Sequence, residues 1–140
     1  MTRKGKKKKI KIGLDVDDTI MRQPDFFSLL SNAARKEGWE VHVVTTRPDR
    51  NADRERTLRD LSAGSIAYDT IYHLPKQEGE VEDCPHAGLS DYEKFVWQKV
   101  RYCKESDVGM FFDDDEHVVE MFKRYAPDIQ VFRVCKHDIS

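Results

Sequence analysis

Two groups of aspartates carry the strongest suggestion of chemistry in this sequence. Asp15-Val16-Asp17-Asp18-Thr19 stands near the start, and Asp113, Asp114 and Asp115 stand together near the other end. Each group follows a short apolar stretch, Ile10 to Leu14 in the first case and Val108 to Phe112 in the second. Carboxylates placed in this way can attack an electrophile, pass a proton or hold a hard cation. Crowded carboxylates repel one another unless a cation lies between them. Oxygen donors favour magnesium over zinc, and no matching set of histidines and cysteines is present. His73, Cys84 and His86 flank one irregular segment, but their spacing follows no usual zinc pattern. Thr45, Thr46 and Arg47 follow the apolar pair Val43-Val44 and offer hydroxyls and a guanidinium to an anion. Lys94 and Lys99 offer ammonium groups from a later helical stretch.

These groups can act together only if the fold gathers them. The pattern predicts strands at Ile10 to Leu14, Trp39 to Thr45, Tyr68 to Leu74, Val108 to Phe112 and Ile129 to Val134. Helices alternate with them. Pro24 suits a first helical turn, and Gly38 suits the residue just past that helix. Pro48 to Ala63 reads as a charged surface helix closed by Gly64. Ser90-Asp91-Tyr92-Glu93 has the capping-box pattern and opens a helix to about Lys104. Glu116 to Tyr125 is a short helix whose apolar face is Val118, Val119, Met121 and Phe122. Residues 75–89 have no period and read as a loop or minor insertion. Such alternation predicts a three-layer α/β sandwich around a five-stranded, mostly parallel sheet. With the first strand between the second and fourth, in the order 5-4-1-2-3, the acidic groups and the threonines meet at the carboxyl ends of the strands. That is where open sheets of this kind bind ligands.

In that order and setting, the residues resemble the haloacid dehalogenase-like superfamily of phosphohydrolases. Asp15-Val16-Asp17-Asp18-Thr19 is similar to its first motif, D-x-D-x-T, and Val43-Val44-Thr45 to its second. Lys94 resembles the third, with Lys99 as competitor, and Phe111-Phe112-Asp113-Asp114 resembles the fourth. Residues 91–134 are also similar to the phosphatase domain of bacteriophage-type polynucleotide kinase/phosphatases, around Lys94, Asp113-Asp114 and Val118 to Met121. The 140 residues contain no P-loop.

The resemblance implies a magnesium-dependent phosphatase that forms an aspartyl-phosphate. Asp15 would be the nucleophile, and Asp17 the acid that protonates the leaving oxygen and later the base for water. This requires Asp15 ionised and Asp17 protonated at the start, a split that a metal on Asp15 and the acids around Asp17 would favour. Asp15, the Asp17 backbone carbonyl and Asp113, with Asp114 as alternative or second ligand, would hold Mg2+. Thr45 and Lys94 would bind the substrate phosphate, with Thr46 and Arg47 as further candidates. Asp18 and Thr19 would serve the loop, and Asp115 would cap the following helix. No large cap fits between Thr19 and Thr45, so the site should be open. An open site suits a large substrate such as a nucleic-acid 3′-phosphate, and equally admits a small ester, a phosphoprotein or closure by a second copy in a homodimer.

Composition bounds these readings. The chain has 140 residues, 36% of them charged, with a formal net charge of only −2. That length fits one domain over residues 10–140, preceded by a basic tail at residues 1–9. The near-neutral balance gives no overall field toward nucleic acid or a membrane, although Arg3, Lys4 and Lys6 to Lys9 could steer a phosphorylated polymer. No apolar run is long enough to span a bilayer, and the basic start lacks the apolar core of a secretory signal. Three scattered cysteines fit reduced thiols and a cytoplasmic setting. A response-regulator receiver would need an aspartate ending the third strand, where His73-Leu74 stands. A silent phosphate- or protein-binding module of the same fold is the remaining rival.

Overall fold

In a computed structural model that describes residues 8–135, five parallel strands form one sheet. They are β1 (Lys11–Leu14), β2 (Glu40–Thr45), β3 (Thr70–His73), β4 (Met110–Asp113) and β5 (Gln130–Arg133). Four helices alternate with them: α1 (Pro24–Lys36), α2 (Asn51–Ala63), α3 (Asp91–Glu105) and α4 (Glu116–Tyr125). The sheet order is β3-β2-β1-β4-β5, the expected order, and every pairing is parallel. Most of the basic run, residues 1–7, lies outside the described residues, as do residues 136–140.

Alternating side chains on the strands feed two cores. Ile12, Leu14, Val41 and Val43 pack with Phe27 of α1 and Leu61 of α2 on one face. Val44 and Phe111 pack with Val96 and Val100 of α3 and with Met121 and Phe122 of α4 on the other. The result is three layers, with a purely parallel sheet covered on both faces. Gly13 permits the close approach of β1 to the second core. A methyl group there would meet Phe111 Cδ1 at 2.5 Å, and Phe111 is itself stacked on Phe122 at 4.8 Å between ring centres.

Local chemistry sets the helix ends. Pro24 stands in the first turn of α1. At the other end Trp39 N–H donates to Ala34 and Gly38 N–H to Arg35, at 2.9 and 3.0 Å. This is a Schellman motif, and Gly38 supplies its left-handed residue at φ +83°. Ser90 and Glu93 form the capping box of α3. The helix expected from Pro48 begins later, at Asn51, because Arg50 is extended and serves as the residue before it.

Residues 75–89 form no helix or strand. The segment is pinned to α3, where Gln98 donates to the Lys76 carbonyl at 2.8 Å and accepts from its N–H at 3.1 Å. The His86 ring stacks on Tyr125 at 3.7 Å. His73, Cys84 and His86 do not gather into a metal site; among the described residues the group able to hold one is acidic. No helix among the described residues is long and apolar enough to cross a membrane.

Candidate active site

The chain leaves β1 for α1 and β4 for α4, on opposite faces of the sheet. Strand order therefore reverses between β1 and β4, and a crevice of about 460 Å³ opens there. Asp15 and Asp113 stand on its floor because each ends or directly follows one of these neighbouring strands. Asp17, Asp18, Thr46, Tyr92, Asp114 and Arg133 are among the other residues that line it.

Lys99 joins the two floor carboxylates. It is buried, and its Nζ donates to Asp15 Oδ1 at 2.8 Å and to Asp113 Oδ2 at 2.7 Å. The other Asp15 oxygen accepts from Thr19 Oγ1 at 2.8 Å, and Thr19 also lies 3.3 Å from Asp114 Oδ1. Asp113 Oδ1 accepts the Asp115 N–H at 3.0 Å. Burial raises Asp15 well above the usual carboxylate range, with Lys99 opposing and Asp113 adding to the shift. Burial likewise raises Asp113 against the pull of Lys99. Burial alone would lower Lys99, but Asp113 and Asp15 hold it above its ordinary value. The floor therefore combines two carboxylates with one fixed cation.

A third buried carboxylate lies beside this pair. One oxygen from each of Asp15, Asp113 and Asp114 lies within 4.8 Å of the others. By donor chemistry this hard oxygen set suits magnesium rather than zinc.

Asp17 is held differently. The turn after Asp15 closes through bonds from Ile20 N–H to Asp15 and from Met21 N–H to Val16, at 3.3 and 3.0 Å. Within it Asp18 takes a left-handed φ of +62°, a conformation that aspartate tolerates better than most residues. Asp17 thereby meets Arg47 in a two-pronged pair, with Nε to Oδ2 at 3.0 Å and Nη2 to Oδ1 at 2.8 Å. The buried guanidinium also reaches Asp60 at 2.8 Å and Thr57 at 3.2 Å, anchoring the fork on α2. Hydrogen bonds from Arg47 lower the Asp17 pKa, outweighing the effect of partial burial. The sense expected from the sequence, with a metal on Asp15, is the opposite, whereas these directions are those of the side chains alone. Burial raises the first and Arg47 lowers the second.

Three further expectations need correction. Lys94 does not line the crevice, and Lys99 occupies the place expected for it. Side chains on a helix tilt toward its N-terminus, so a long residue just over two turns into α3 reaches back to the carboxyl ends of the strands. Lys94, in the first turn and five positions earlier, points to another side. Thr45 is wholly buried, and its Oγ1 accepts the Arg47 N–H at 3.1 Å. Thr46 is the threonine on the crevice wall. Arg47 lies behind the wall and holds Asp17 rather than lining the crevice.

Asp115 caps α4 by accepting the His117 N–H at 2.8 Å, the role expected of it. Sequence reasoning missed Tyr92, Glu116, His117 and Arg133 as crevice residues. The Tyr92 hydroxyl donates to Asp115, which with burial raises the tyrosine's pKa. Only its place in the capping box, at the start of a helix after a strand, pointed to the rim.

No known protein family matches the chain, and no curated protein matches it. Solved structures do. One, of the Pnkp1/Rnl/Hen1 complex, aligns with a TM-score of 0.64 at 19% identity, covering 98% of this chain and 50% of the other. A second, of the Pnkp1/Rnl/Hen1 RNA repair complex, gives 0.62 at 20% identity, covering 93% and 44%. The likeness is one of fold, and this chain spans about half the length of those chains or less.

Proposed function

We infer that this chain is a magnesium-dependent phosphohydrolase that acts on a phosphate monoester, with Asp15 as nucleophile. The observation that carries the reading is the floor of the crevice. Asp15 and Asp113 share Lys99 at a switch point of the sheet, Asp114 lies beside them, and Asp17 stands two residues on at the mouth. A nucleic-acid end is the favoured substrate. The crevice is open at its mouth, and the fold is similar to that of chains in an RNA repair complex.

The chain's residues would divide the work as follows. Thr19 and Lys99 each hold one Asp15 oxygen and fix the carboxylate for in-line attack. Attack forms an Asp15–phosphorus bond as the bond from phosphorus to the leaving oxygen breaks. Asp17 gives its proton to that oxygen, so the Arg47 fork must loosen for Asp17 to carry one. In the second step Asp17 takes a proton from water as the water oxygen attacks phosphorus and the Asp15–phosphorus bond breaks. Thr46, on the crevice wall, would donate to a phosphate oxygen. Bound magnesium, held by Asp15, the Asp17 carbonyl and Asp113 with Asp114, would neutralise the phosphate oxygens and the acids around them.

The test is hydrolysis of p-nitrophenyl phosphate and of 3′-phosphorylated oligonucleotides, with and without magnesium. Wild type should turn over at least one of them only with the metal, and Asp15→Asn should abolish turnover. Activity that survives either Asp15→Asn or complete chelation refutes the mechanism. Inertness toward a broad phosphate panel favours a silent binding module.

A further inference from the structure

The crevice is strongly acidic, and its few cations have unequal freedom. Lys99 and Arg133 are the lysine and arginine side chains that line it among the described residues. Lys99 is buried and bound to Asp15 and Asp113. Arg133 ends β5 directly beside Asp113 in the sheet register, and its side chain is about half exposed at 54%. Among the described residues its ion pair is a loose one, to Glu116 at 3.7 Å. Arg133 can therefore turn to an incoming anion without leaving a buried charge behind.

The surrounding charges give a polyanion a preferred exit. Asp17 and Asp18 edge the mouth near β1. Glu93, Glu116 and Glu120 surround His117 along the starts of α3 and α4. Glu93 and Glu120 repel a phosphodiester backbone on that side, and Asp18 does so near β1, where Asp17 is already paired with Arg47. On the α2 side Arg47 is engaged by Asp17 and Asp60, while Arg50 and Arg56 both pair with Asp53. The edge at Arg133 combines an exposed cation, a weak existing partner and direct proximity to the floor.

We propose that Arg133 is a specificity-determining residue that binds the phosphodiester next to the terminal phosphate of a nucleic-acid substrate, so that the strand leaves the crevice over the end of β5. This rests on the phosphohydrolase reading and adds to it the path of the strand and the residue that recognises it. A guanidinium matches two phosphate oxygens at once, which an ammonium cannot do. Arg133 would then separate substrates with a second phosphate from those with only one.

The experiment compares a 3′-phosphorylated dinucleotide with a mononucleoside 3′-phosphate, which differ in that one phosphodiester. Arg133→Ala should raise KM for the dinucleotide roughly tenfold, the order of one charge-assisted contact, and leave the mononucleotide within about twofold. Arg133→Lys should recover part of the loss, and Arg56→Ala should affect neither substrate. Equal losses on both substrates, no loss on the dinucleotide, or a larger loss from Arg56→Ala would overturn the proposal. Hydrolysis of p-nitrophenyl phosphate by wild type separates failure of this proposal from failure of the phosphohydrolase reading. Where nothing is hydrolysed, binding of a labelled 3′-phosphorylated single strand to Asp15→Asn decides. Arg133→Ala must then reduce the salt slope of log affinity by about 0.7, and an unchanged slope or no binding overturns the proposal.

Discussion

Replacing Lys99 with methionine tests the floor of the site more directly than any loss of activity. The side chain is buried and bonds both Asp15 and Asp113, so the substitution keeps most of the volume and removes only the charge. Breaking a buried ion pair by removing one partner costs about 3 to 5 kcal/mol, mostly through the carboxylate left without its cation. For a domain of this size each kcal/mol lowers Tm by roughly 3 to 4 °C, which gives a fall of about 10 to 20 °C in magnesium-free buffer near neutral pH. That is a large share of the roughly 5 to 15 kcal/mol available to a typical domain. The deficit should shrink with acidification. Burial already raises Asp15 and Asp113 in the wild type, and loss of Lys99 raises them further. The penalty on such groups is present above their folded-state pKa values and is relieved as pH falls through them. Lys94→Met is the control, because Lys94 does not line the crevice; it should cost less than about 0.5 kcal/mol. Calorimetry between pH 4.5 and 8 decides. A Lys99→Met loss of less than 3 °C, a loss that does not change with pH, or an equal loss from Lys94→Met would refute the reasoning.

Arg47→Met removes the cation that lowers the Asp17 pKa. With an alkyl phosphate, whose poor leaving group needs the acid, the fall in kcat at high pH should move to higher pH; an unmoved profile would deny Asp17 that role. The same variant should also lose the stability that Asp17 supplies above its unfolded pKa of about 3.9, a contribution that disappears as pH falls through its depressed folded value. Magnesium should raise Tm, by about 2.7 kcal/mol of stabilisation at a hundred times its dissociation constant, and Asp113→Asn should abolish the rise in a thermal-shift titration. Its affinity should weaken on acidification, because the metal must displace protons from carboxyls whose pKa values burial has raised. Gly13→Ala forces a methyl group against the buried, stacked Phe111 ring and should cost about 1 to 3 kcal/mol in urea unfolding, with partial rescue by Phe111→Leu.

The order of the sheet was legible because it follows from alternation. Each apolar run fills a parallel strand, the central ones covered on both faces, and each acidic group follows a strand whose end the topology brings to one crevice. The helix ends were legible where backbone chemistry is local, as at Gly38 and in the Ser90-Glu93 capping box. Motif spacing placed Asp15, Asp17, Asp113 and Asp114 at the crevice, since their positions depend mainly on where β1 and β4 stop.

Side-chain direction was not legible in the same way. Lys94 and Lys99 lie on one helix, both apparently able to reach the strand ends, and a motif gives no azimuth. Five positions put the two about 140° apart around the axis, and the tilt toward the N-terminus then lets the longer reach from Lys99 meet the strand ends. Thr45 and Thr46 pose the same problem on a strand, where a step of one residue changes the face and the first hydroxyl is taken by the turn. Arg133 lay further from reach, because its place on the crevice comes from register. It neighbours Asp113 across a strand pair that no local pattern specifies. The protonation pattern at Asp15 and Asp17 was the least accessible feature. It depends on how deeply one carboxylate is buried and on an arginine thirty residues from the other, so it appears only when β1, β2 and α2 are assembled. A metal on Asp15 and the acids around Asp17 suggested how the two pKa values would separate, whereas burial and the distant Arg47 set the direction among the side chains alone. A metal at the floor would reverse that direction at Asp15 by favouring its charged form. On the proposed reading, magnesium binding and ionisation of Asp15 would therefore be one coupled equilibrium.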